Sequence, residues 1–385
     1  MIKKALLYFA AWSDPKKITV FILIWSICAC KEVQKITDIV VQPSEREKYA
    51  RNFPDGHLGH QNWLNAFEKA KMDSLTVTLP YSERGTFGAN DPLAHQYTTY
   101  IPEGRELTLG LTSNRGPINA FVDVFKSPVQ IDEKPLLSTK VSNLTSVTYP
   151  VPSSAAYTIV VQSPLGQATD FLLEMGSRPL YGFPVSNVTD RAIQSFWGAQ
   201  RDGGKRSHQG VDIFAPRGTP VLAATDGRVT STGNRGLGGK QVWIREGFGG
   251  KSQYYCHLDS IVVGQLAKVR RGDTIGFVGN TGNARTTAPH LHFGLYGNKG
   301  AVDPLPFIKE LEIGDLELPQ PPAEGKVAAL RANVRKGPET SWEILHTLQK
   351  GDTVHILGNT KDWYHISTRP GLKGFVHRSL VGHMK

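Results

Sequence analysis

Apolar and polar residues alternate in parts of this chain, and this period of two limits its fold more than any other feature. The alternation is present in segments 75–79 and 107–111, and segments 121–125 and 157–161 are further strand-like runs between clusters of turn residues. Successive side chains of a strand point to opposite faces, so each segment can bury one face of a sheet. Short strands between clusters of turn residues predict an antiparallel β-sandwich over residues 75–176. The chain is therefore predicted to be mainly β.

The composition agrees with several β-rich domains. The chain has 385 residues, and a single domain usually holds about 100–200, so two to four domains are expected. Hydrophobic residues make up 39% and charged residues 20%, which predicts a folded chain rather than a disordered one. The 39 glycines and 24 prolines supply many turns, which suits short strands better than long helices.

The formal net charge of +10 favours anionic partners such as nucleic acid, membranes or wall polymers. The basic residues are scattered, and no dense block of lysine and arginine is interleaved with aromatic residues. Binding to nucleic acid is therefore not expected. The three cysteines are too few for a disulfide framework.

Residues 31–74 are predicted to form a polar lead with one short helix. Trp63, Phe67 and Ala70 recur at helical spacing, which places them on one face of a helix. His57 and His60 lie just before this helical pattern, and we expect them on a loop surface, since two histidines alone do not make a metal site.

Four histidines and one aspartate fall in three short runs that carry candidate chemistry, namely His208, Asp212, His257, His290 and His292. On a strand, His290 and His292 point to one face while the apolar residues between and after them point to the other. Burying both imidazoles in an apolar core would be unfavourable, because each buried ring needs hydrogen-bond partners. His208 and Asp212 are expected to share a face as well, and Gly210 between them leaves room there for an ion or a substrate.

Imidazole nitrogen and carboxylate oxygen are ligands that zinc prefers in tetrahedral sites. A catalytic zinc site uses three protein ligands and keeps its fourth position for water, so five candidates leave two side chains for the hydrolytic step. A neutral histidine can accept a proton from that water, and a protonated one can stabilise an oxyanion. The chain has no His-Glu-x-x-His helix, so histidine is the natural substitute for a glutamate base.

In this order and with these neighbours, the three runs resemble the lysostaphin-type zinc endopeptidases over residues 180–300. That family shows His-x-Gly-x-Asp, then Tyr-x-His-Leu or similar, then His-Leu-His-Phe. The resemblance implies a zinc peptidase domain over 178–310. It also implies that the zinc ligands are His208, Asp212 and His292. His257 and His290 would be the catalytic pair, and the sequence does not decide which of the two is the base.

Two further features of this region are the lack of a tyrosine before His208 and the cysteine next to His257. Several family members place a tyrosine a few residues before the first ligand, whereas residues 201–207 contain none. Whether an arginine takes that place is undecided. Cys256 precedes His257 directly, and on a strand the two side chains would face apart. We therefore interpret Cys256 as a small buried hydrophobic residue rather than a nucleophile.

The regions flanking this domain carry further resemblances. Residues 75–176 resemble, by pattern alone, the jelly-roll modules that accompany secreted peptidases. Prolines predict an extended linker at 311–325. Residues 326–385 resemble the bacterial SH3-like domain, a small β-barrel, in the segments 333–338 and 363–364.

Modules of the SH3-like kind in wall enzymes often bind wall peptide. Trp342, Trp363 and Tyr364 are candidates to line a groove, and at least one of them is expected to pack in the core instead. The histidines of this module are expected on the barrel surface rather than as metal ligands; they include His355, His365 and His377.

The amino terminus resembles an export signal of a bacterial lipoprotein over residues 1–30. Lys16 and Lys17 precede an apolar run that is too short to span a membrane alone. The run ends in a lipobox-like segment, Ile27-Cys28-Ala29-Cys30, which implies lipidation of Cys30. The alternatives are an uncleaved anchor or a simple cleaved signal. All three place the rest of the chain outside the cytoplasm, and lipidation predicts a cell-envelope protein that faces the periplasm or wall.

Together these features predict a lipid-anchored zinc endopeptidase that hydrolyses peptidoglycan cross-links or stem peptides, with peptidoglycan and the membrane as partners. One alternative is a catalytically silent protein that binds the wall and activates other wall hydrolases. This chain has a histidine or an aspartate at all five candidate positions, which argues against a catalytically silent protein. Another alternative is a protease of a secreted protein outside the wall, which the SH3-like module makes less favoured.

Overall fold

The computed structural model of the protein describes residues 43–88, 94–142, 146–247, 250–311, 318–368 and 371–383. The predicted signal over 1–30, the lipidation at Cys30, the beginning of the 31–74 lead and part of the 311–325 linker lie outside these ranges. Within them, no helix is both long enough and apolar enough to cross a bilayer.

Two helices precede the strands, α1 (Glu45–Ala50) and α2 (Leu58–Lys71). The predicted helical face is present in α2, where Trp63, Phe67 and Ala70 are buried. The loop prediction for His60 is wrong, because α2 starts at Leu58 and the His60 ring stacks on Phe53 at 4.8 Å between centroids. Aromatic contact with the preceding turn therefore holds this histidine inside the helix.

Eight strands form two antiparallel sheets whose buried side chains share one core. They are β1 (Tyr81–Phe87), β2 (Ala94–Ile101), β3 (Arg105–Thr112), β4 (Asn119–Lys126), β5 (Leu137–Ser142), β6 (Val147–Pro150), β7 (Ala155–Gln162) and β8 (Thr169–Pro179). One sheet has the order β2-β7-β4-β5, and the other includes β1-β8-β3-β6. The alternation in β3 is strict, with every second residue buried. Leu75 and Val77 are buried too, but they precede β1 and only Thr76 between them forms a bridge.

The next region contains thirteen strands and one short helix. They are β9 (Ile193–Ser195), β10 (Gln200–Arg201), β11 (Arg206–Ser207), β12 (Val211–Phe214), β13 (Pro220–Leu222), β14 (Gly227–Arg235), β15 (Gly239–Arg245), β16 (Ser252–Cys256), β17 (Ser260–Ile261), β18 (Lys268–Val269), β19 (Thr274–Phe277), β20 (His290–Gly297), β21 (Gly300–Val302) and α3 (Leu305–Ile308). The main sheet runs β18-β14-β15-β16-β20-β12-β9, and β21 pairs with β20. Strand β20 lies in its interior, and the apolar residues Leu291, Phe293 and Leu295 point into the core beneath it.

Seven strands form the carboxy-terminal module. They are β22 (Glu324–Val327), β23 (Arg331–Arg335), β24 (Ile344–Gln349), β25 (Thr353–Thr360), β26 (Trp363–Ser367), β27 (Lys373–His377) and β28 (Val381–His383). Strand β25 pairs antiparallel with β1, so this module and one sheet of the sandwich form a single eleven-stranded sheet. The module is therefore joined to the sandwich by backbone hydrogen bonds, in addition to the chain connection.

Two aromatic residues of this module, Trp363 and Tyr364, pack in two different hydrophobic cores. Trp363 packs in the core of the sandwich, and Tyr364 packs in the core of the module itself. The prediction that at least one of the three aromatic residues packs in a core is thus confirmed. The prediction of a surface position for His365 is wrong, since its side chain is fully buried where β26 approaches the sandwich.

Candidate active site

Three of the five candidate residues meet at one point. His208 Nε2 lies 3.1 Å from Asp212 Oδ1 and 2.9 Å from His292 Nδ1, and the two latter atoms are 2.9 Å apart. We call these three atoms the triangle. Ligand atoms at about 2.0–2.1 Å from a tetrahedral zinc are about 3.3 Å apart, so the triangle has nearly the required size.

Pairing of β12 with β20 builds the triangle. Asp212 and His292 are direct cross-strand partners, as are Phe214 and His290. Alternation along both strands then directs these side chains to the same face, away from the buried apolar residues. Strand geometry therefore accounts for the convergence of residues that are 80 positions apart.

Gly210 lies where a side chain would collide with the triangle. A Cβ placed on Gly210 would be 2.7 Å from the imidazole of His292 and 2.6 Å from a backbone oxygen of β20. Real Cβ atoms do not approach other atoms so closely, so only glycine fits between His208 and Asp212 at this place. The sequence prediction that Gly210 leaves space on this face agrees with the contact.

Further groups hold the triangle from outside. His208 Nδ1 donates to the carbonyl of Phe196 at 2.9 Å, which leaves Nε2 with its lone pair directed into the triangle. Arg201 donates from Nη2 to Asp212 Oδ2 at 2.7 Å and to the hydroxyl of Ser195. The arginine thus contacts the carboxylate oxygen that the triangle does not use.

His257 and His290 lie beside the triangle as a pair. Their ring centroids are 5.1 Å apart, and the ring of His257 is 6.0 Å from that of His292. His257 Nδ1 donates to the carbonyl of Thr281 at 2.9 Å, and His290 Nδ1 donates to the carbonyl of Ala288 at 2.8 Å. A carbonyl cannot donate, so each Nδ1 carries a hydrogen and each Nε2 is available to accept a proton.

The backbone of His257 has the left-handed conformation, with φ at 64°. Few residues other than glycine adopt it, and surrounding contacts must hold it in place. The His257 amide donates to the carbonyl of Gly238, and its own carbonyl accepts from the amide of Thr281. These bonds turn the chain just after β16 and bring the imidazole next to His290.

Burial and neighbouring side chains together set the pKa values of His257 and Asp212. Burial lowers the pKa of His257 to about 4, with the neighbouring His290 and His292 acting in the same direction. Burial alone would raise the pKa of Asp212, but the adjacent imidazoles of His208 and His292 outweigh it and hold that pKa well below its usual value. Neutral imidazole and ionised carboxylate are the forms that coordinate a metal ion.

The five residues line a cavity of about 670 Å³ that is open to solvent. Its wall includes Tyr254 and Tyr296 from neighbouring strands, with rings 6.4 Å apart and Trp243 stacked on Tyr254 at 4.4 Å. The sequence reasoning missed this aromatic wall. Its signal is present in the alternation of β16, where Tyr254 lies on the same face as Cys256, while Tyr255 is in the core.

Cys256 is a free, buried residue at the end of β16. Burial raises the pKa of its thiol, so the nucleophilic thiolate is disfavoured. These observations agree with its interpretation as a small buried residue rather than a catalytic thiol. The expectation that the side chains of Cys256 and His257 face apart is wrong, because both line the cavity. The left-handed backbone of His257 breaks the strand alternation on which that expectation depended.

Residues 206–304, which include all five candidate residues, match the family Peptidase family M23. Residues 330–382 match the family Bacterial SH3 domain. The peptidase match extends over the strands that carry the triangle and the histidine pair, and the second match extends over β23 to β27.

Curated relatives share this region. The chain is 36% identical over 146 residues to the L-Ala–D-Glu endopeptidase of Bacillus subtilis, covering 34% of this chain and 44% of that protein. It is 40% identical over 114 residues to the glycyl-glycine endopeptidase ALE-1 of Staphylococcus capitis, covering 28% and 31% of the two chains. The chain thus spans less than half the length of these relatives.

Among solved structures, the chain is similar to the catalytic domain of the antimicrobial peptidase lysostaphin from Staphylococcus simulans. The identity is 38%, the similar part covers 29% of this chain and 87% of that chain, and the TM-score is 0.27.

Proposed function

We propose that this chain, which carries a Peptidase family M23 domain and a bacterial SH3 domain, is a zinc endopeptidase that hydrolyses peptide bonds in peptidoglycan. The observation that carries the proposal is the triangle of His208, Asp212 and His292, with sides of 2.9 to 3.1 Å. The named activities of the relatives, cleavage of L-Ala–D-Glu and of glycyl-glycine bonds, supply the substrate class.

The donor set of the triangle fits zinc. Two imidazole nitrogens and one carboxylate oxygen are three protein ligands, the number found in catalytic zinc sites. When bound, zinc would polarise a peptide carbonyl and lower the pKa of water toward about 7. Arg201 would hold the carboxylate of Asp212, because it hydrogen bonds the oxygen outside the triangle.

The histidine pair would move the protons. His257 and His290 each keep Nδ1 engaged with a backbone carbonyl and present Nε2 beside the triangle. One Nε2 can accept the proton of the attacking water, and the other, once protonated, can donate a hydrogen bond to the developing oxyanion. The open cavity, with its aromatic wall, gives room for an extended peptide next to both rings.

The test separates binding from proton transfer. His208→Ala should lose the zinc bound at the triangle and all release of muropeptides from purified sacculi, whereas His290→Ala should keep that zinc and still lose the release. His355→Ala, an exposed histidine of the SH3-like module, is the matched control and should act like the wild type. Normal digestion by the His208→Ala protein, read by mass spectrometry of the products, would refute the proposal.

The rival function is a wall-binding regulator without catalysis. Metal analysis of the wild-type and His208→Ala proteins distinguishes the two, because a regulator has no requirement for zinc at the triangle. Equal zinc content of the two proteins at saturating concentration, together with intact sacculi after incubation with the wild type, would favour the rival.

We also propose that the chain is exported and lipidated on Cys30, with the SH3-like module engaging wall peptide. Support comes from the lipobox-like segment at residues 27–30. A cell that expresses the chain should incorporate a labelled fatty acid into it, and Cys30→Ser should abolish the label while Cys256→Ser should not. Equal labelling of both variants would contradict the lipidation.

A further inference from the structure

A second group of side chains that could hold a metal ion lies on strands other than those of the triangle. Among the described residues, two clusters of histidine, cysteine and carboxylate side chains have ligand atoms close enough to hold one ion. One contains the triangle, and the other consists of Glu83, His95 and His365, whose ligand atoms all lie within 4.8 Å of one another. We call this second group the buried cluster.

The buried cluster joins two parts of the fold. Glu83 lies on β1 and His95 on β2 of the sandwich, whereas His365 lies on β26 of the SH3-like module. The three side chains are between 0% and 1% exposed. Pairing of β1 with β25 brings them together, and Gly358 on β25 provides the space, since a Cβ there would be too close to the carboxylate of Glu83.

Direct hydrogen bonds satisfy the carboxylate of this cluster but not its imidazoles. The Tyr81 hydroxyl donates to Glu83 Oε2. His365 Nδ1 lies 3.0 Å from Glu83 Oε1, but His365 Nε2 has no partner among the described residues. Both ring nitrogens of His95 are also buried without a hydrogen bond there, and the nearer one is 3.9 Å from Glu83 Oε1. Buried polar atoms almost always have partners, so three orphaned imidazole nitrogens around one carboxylate need an explanation.

Aromatic rings pack against both histidines of the cluster. Phe87 and Phe171 contact the ring of His95 edge-on, and His365 stacks on Phe375 at 5.0 Å. The side chains of the buried cluster are therefore out of contact with bulk solvent, in contrast to the open cavity at the triangle.

The donor chemistry selects the ion. Two imidazole nitrogens and one carboxylate oxygen suit Zn²⁺ better than Mg²⁺ or Ca²⁺, which prefer oxygen ligands. The buried hydroxyl of Tyr97, whose ring is 6.2 Å from that of His365, is another atom without a partner in this neighbourhood. We propose that Glu83, His95 and His365 bind a second Zn²⁺ ion, which fastens the SH3-like module to the sandwich.

The experiment removes the first site and leaves the buried cluster untouched. The full chain and a His208→Ala/Asp212→Ala/His292→Ala variant are stripped with a chelator, reloaded with Zn²⁺ and desalted. Metal is then counted by mass spectrometry. We expect two equivalents of zinc in the wild type and one in the triple variant. We also expect a higher thermal midpoint for the triple variant with zinc than without it.

A fourth substitution identifies the ligands. Adding His95→Gln to the triple variant should remove the last equivalent of zinc and the thermal shift, whereas adding His355→Gln should keep both. A triple variant that has the wild-type circular dichroism spectrum but binds no zinc would overturn the inference, whether or not the His95 variant folds. Zinc that persists in the His95→Gln variant would overturn it too.

This design also separates the inference from the proposed function. A wild type that binds one equivalent, retained in the triple variant, would reject zinc at the triangle and support the buried cluster. A wild type that binds one equivalent, lost in the triple variant, would do the reverse.

Discussion

Arg201 shows how one residue outside the triangle can control the site. Its guanidinium contacts the Asp212 oxygen that the triangle leaves free, and it also bonds Ser195. Such outer partners orient a ligand before the metal arrives, so their loss lowers affinity although no ligand has been removed.

We therefore expect Arg201→Ala to weaken zinc binding at the triangle by about 10- to 100-fold. Competition with a chromogenic chelator measures the affinity. Arg228→Ala is the control, because Arg228 is an exposed arginine of the same domain that bonds only a backbone carbonyl in the contacts seen. An unchanged zinc affinity in the Arg201 variant would show that the arginine does not position Asp212.

Gly210 gives a second prediction at this scale. In Gly210→Ala the new Cβ must displace the imidazole of His292 or the backbone of β20. We expect lower zinc affinity, lower activity and about 1–3 kcal/mol of destabilisation from overpacking.

The matched control is Gly264→Ala, since Gly264 has open space where a Cβ would be. Urea unfolding and sacculus digestion of the two variants should differ clearly. Equal stability and activity would mean that His292 can move aside without cost.

At the scale of single elements, α1 fastens the amino-terminal segment to the sandwich. A capping box starts this helix: the Ser44 side chain accepts from the Glu47 amide, and the Glu47 side chain accepts from the Ser44 amide. Arg46 is buried, donates to Asp123 of β4 at 2.7 and 3.0 Å, and lies over the ring of Phe67 at 3.8 Å. A helix of only six residues would not be stable alone, so this contact accounts for its position.

Arg46→Met keeps most of the apolar stem but leaves the Asp123 carboxylate buried without its cation. Removing one partner of a buried pair costs about 3–5 kcal/mol, and we expect a loss of that size in the free energy of unfolding. Lys48→Met in the same helix breaks only an exposed pair with Glu45 and should cost about 0–1 kcal/mol. A loss under 1 kcal/mol for Arg46→Met in urea titrations would contradict the expectation.

Strand alternation explains why part of the candidate site could be predicted from the sequence. The prediction that His290 and His292 share one face needs only the period of two, and β20 has that arrangement. The left-handed turn at His257 could not be predicted in this way, because it depends on bonds to Gly238 and Thr281.

At the scale of the whole molecule, the SH3-like module is part of a continuous sheet. Strand β25 continues the sheet at β1, and Trp363 and Phe375 of the module belong to the core of the sandwich. A peptide linker alone would let a module unfold independently, whereas a shared sheet and core couple the two.

We therefore expect calorimetry of the full chain to show the sandwich and the SH3-like module unfolding in one transition. Deleting residues 324–385 should lower the melting temperature of the sandwich and promote aggregation, because it exposes β1 as an edge strand together with core side chains. A deletion variant that is monomeric and melts at the wild-type temperature would contradict this coupling.

The sequence alone determined the mainly β class, the helical face of α2 and the five candidate side chains of the site. Those features follow from residue identity and from local periodicity, which do not depend on how the segments pack. The choice of His208, Asp212 and His292 as the three ligands came only from the family resemblance. Only the tertiary structure decided that β25 pairs with β1, that His365 is buried against Glu83 and that Arg201 reaches Asp212. Edge pairing uses backbone groups that every residue has, so no side-chain pattern could indicate which strands would meet.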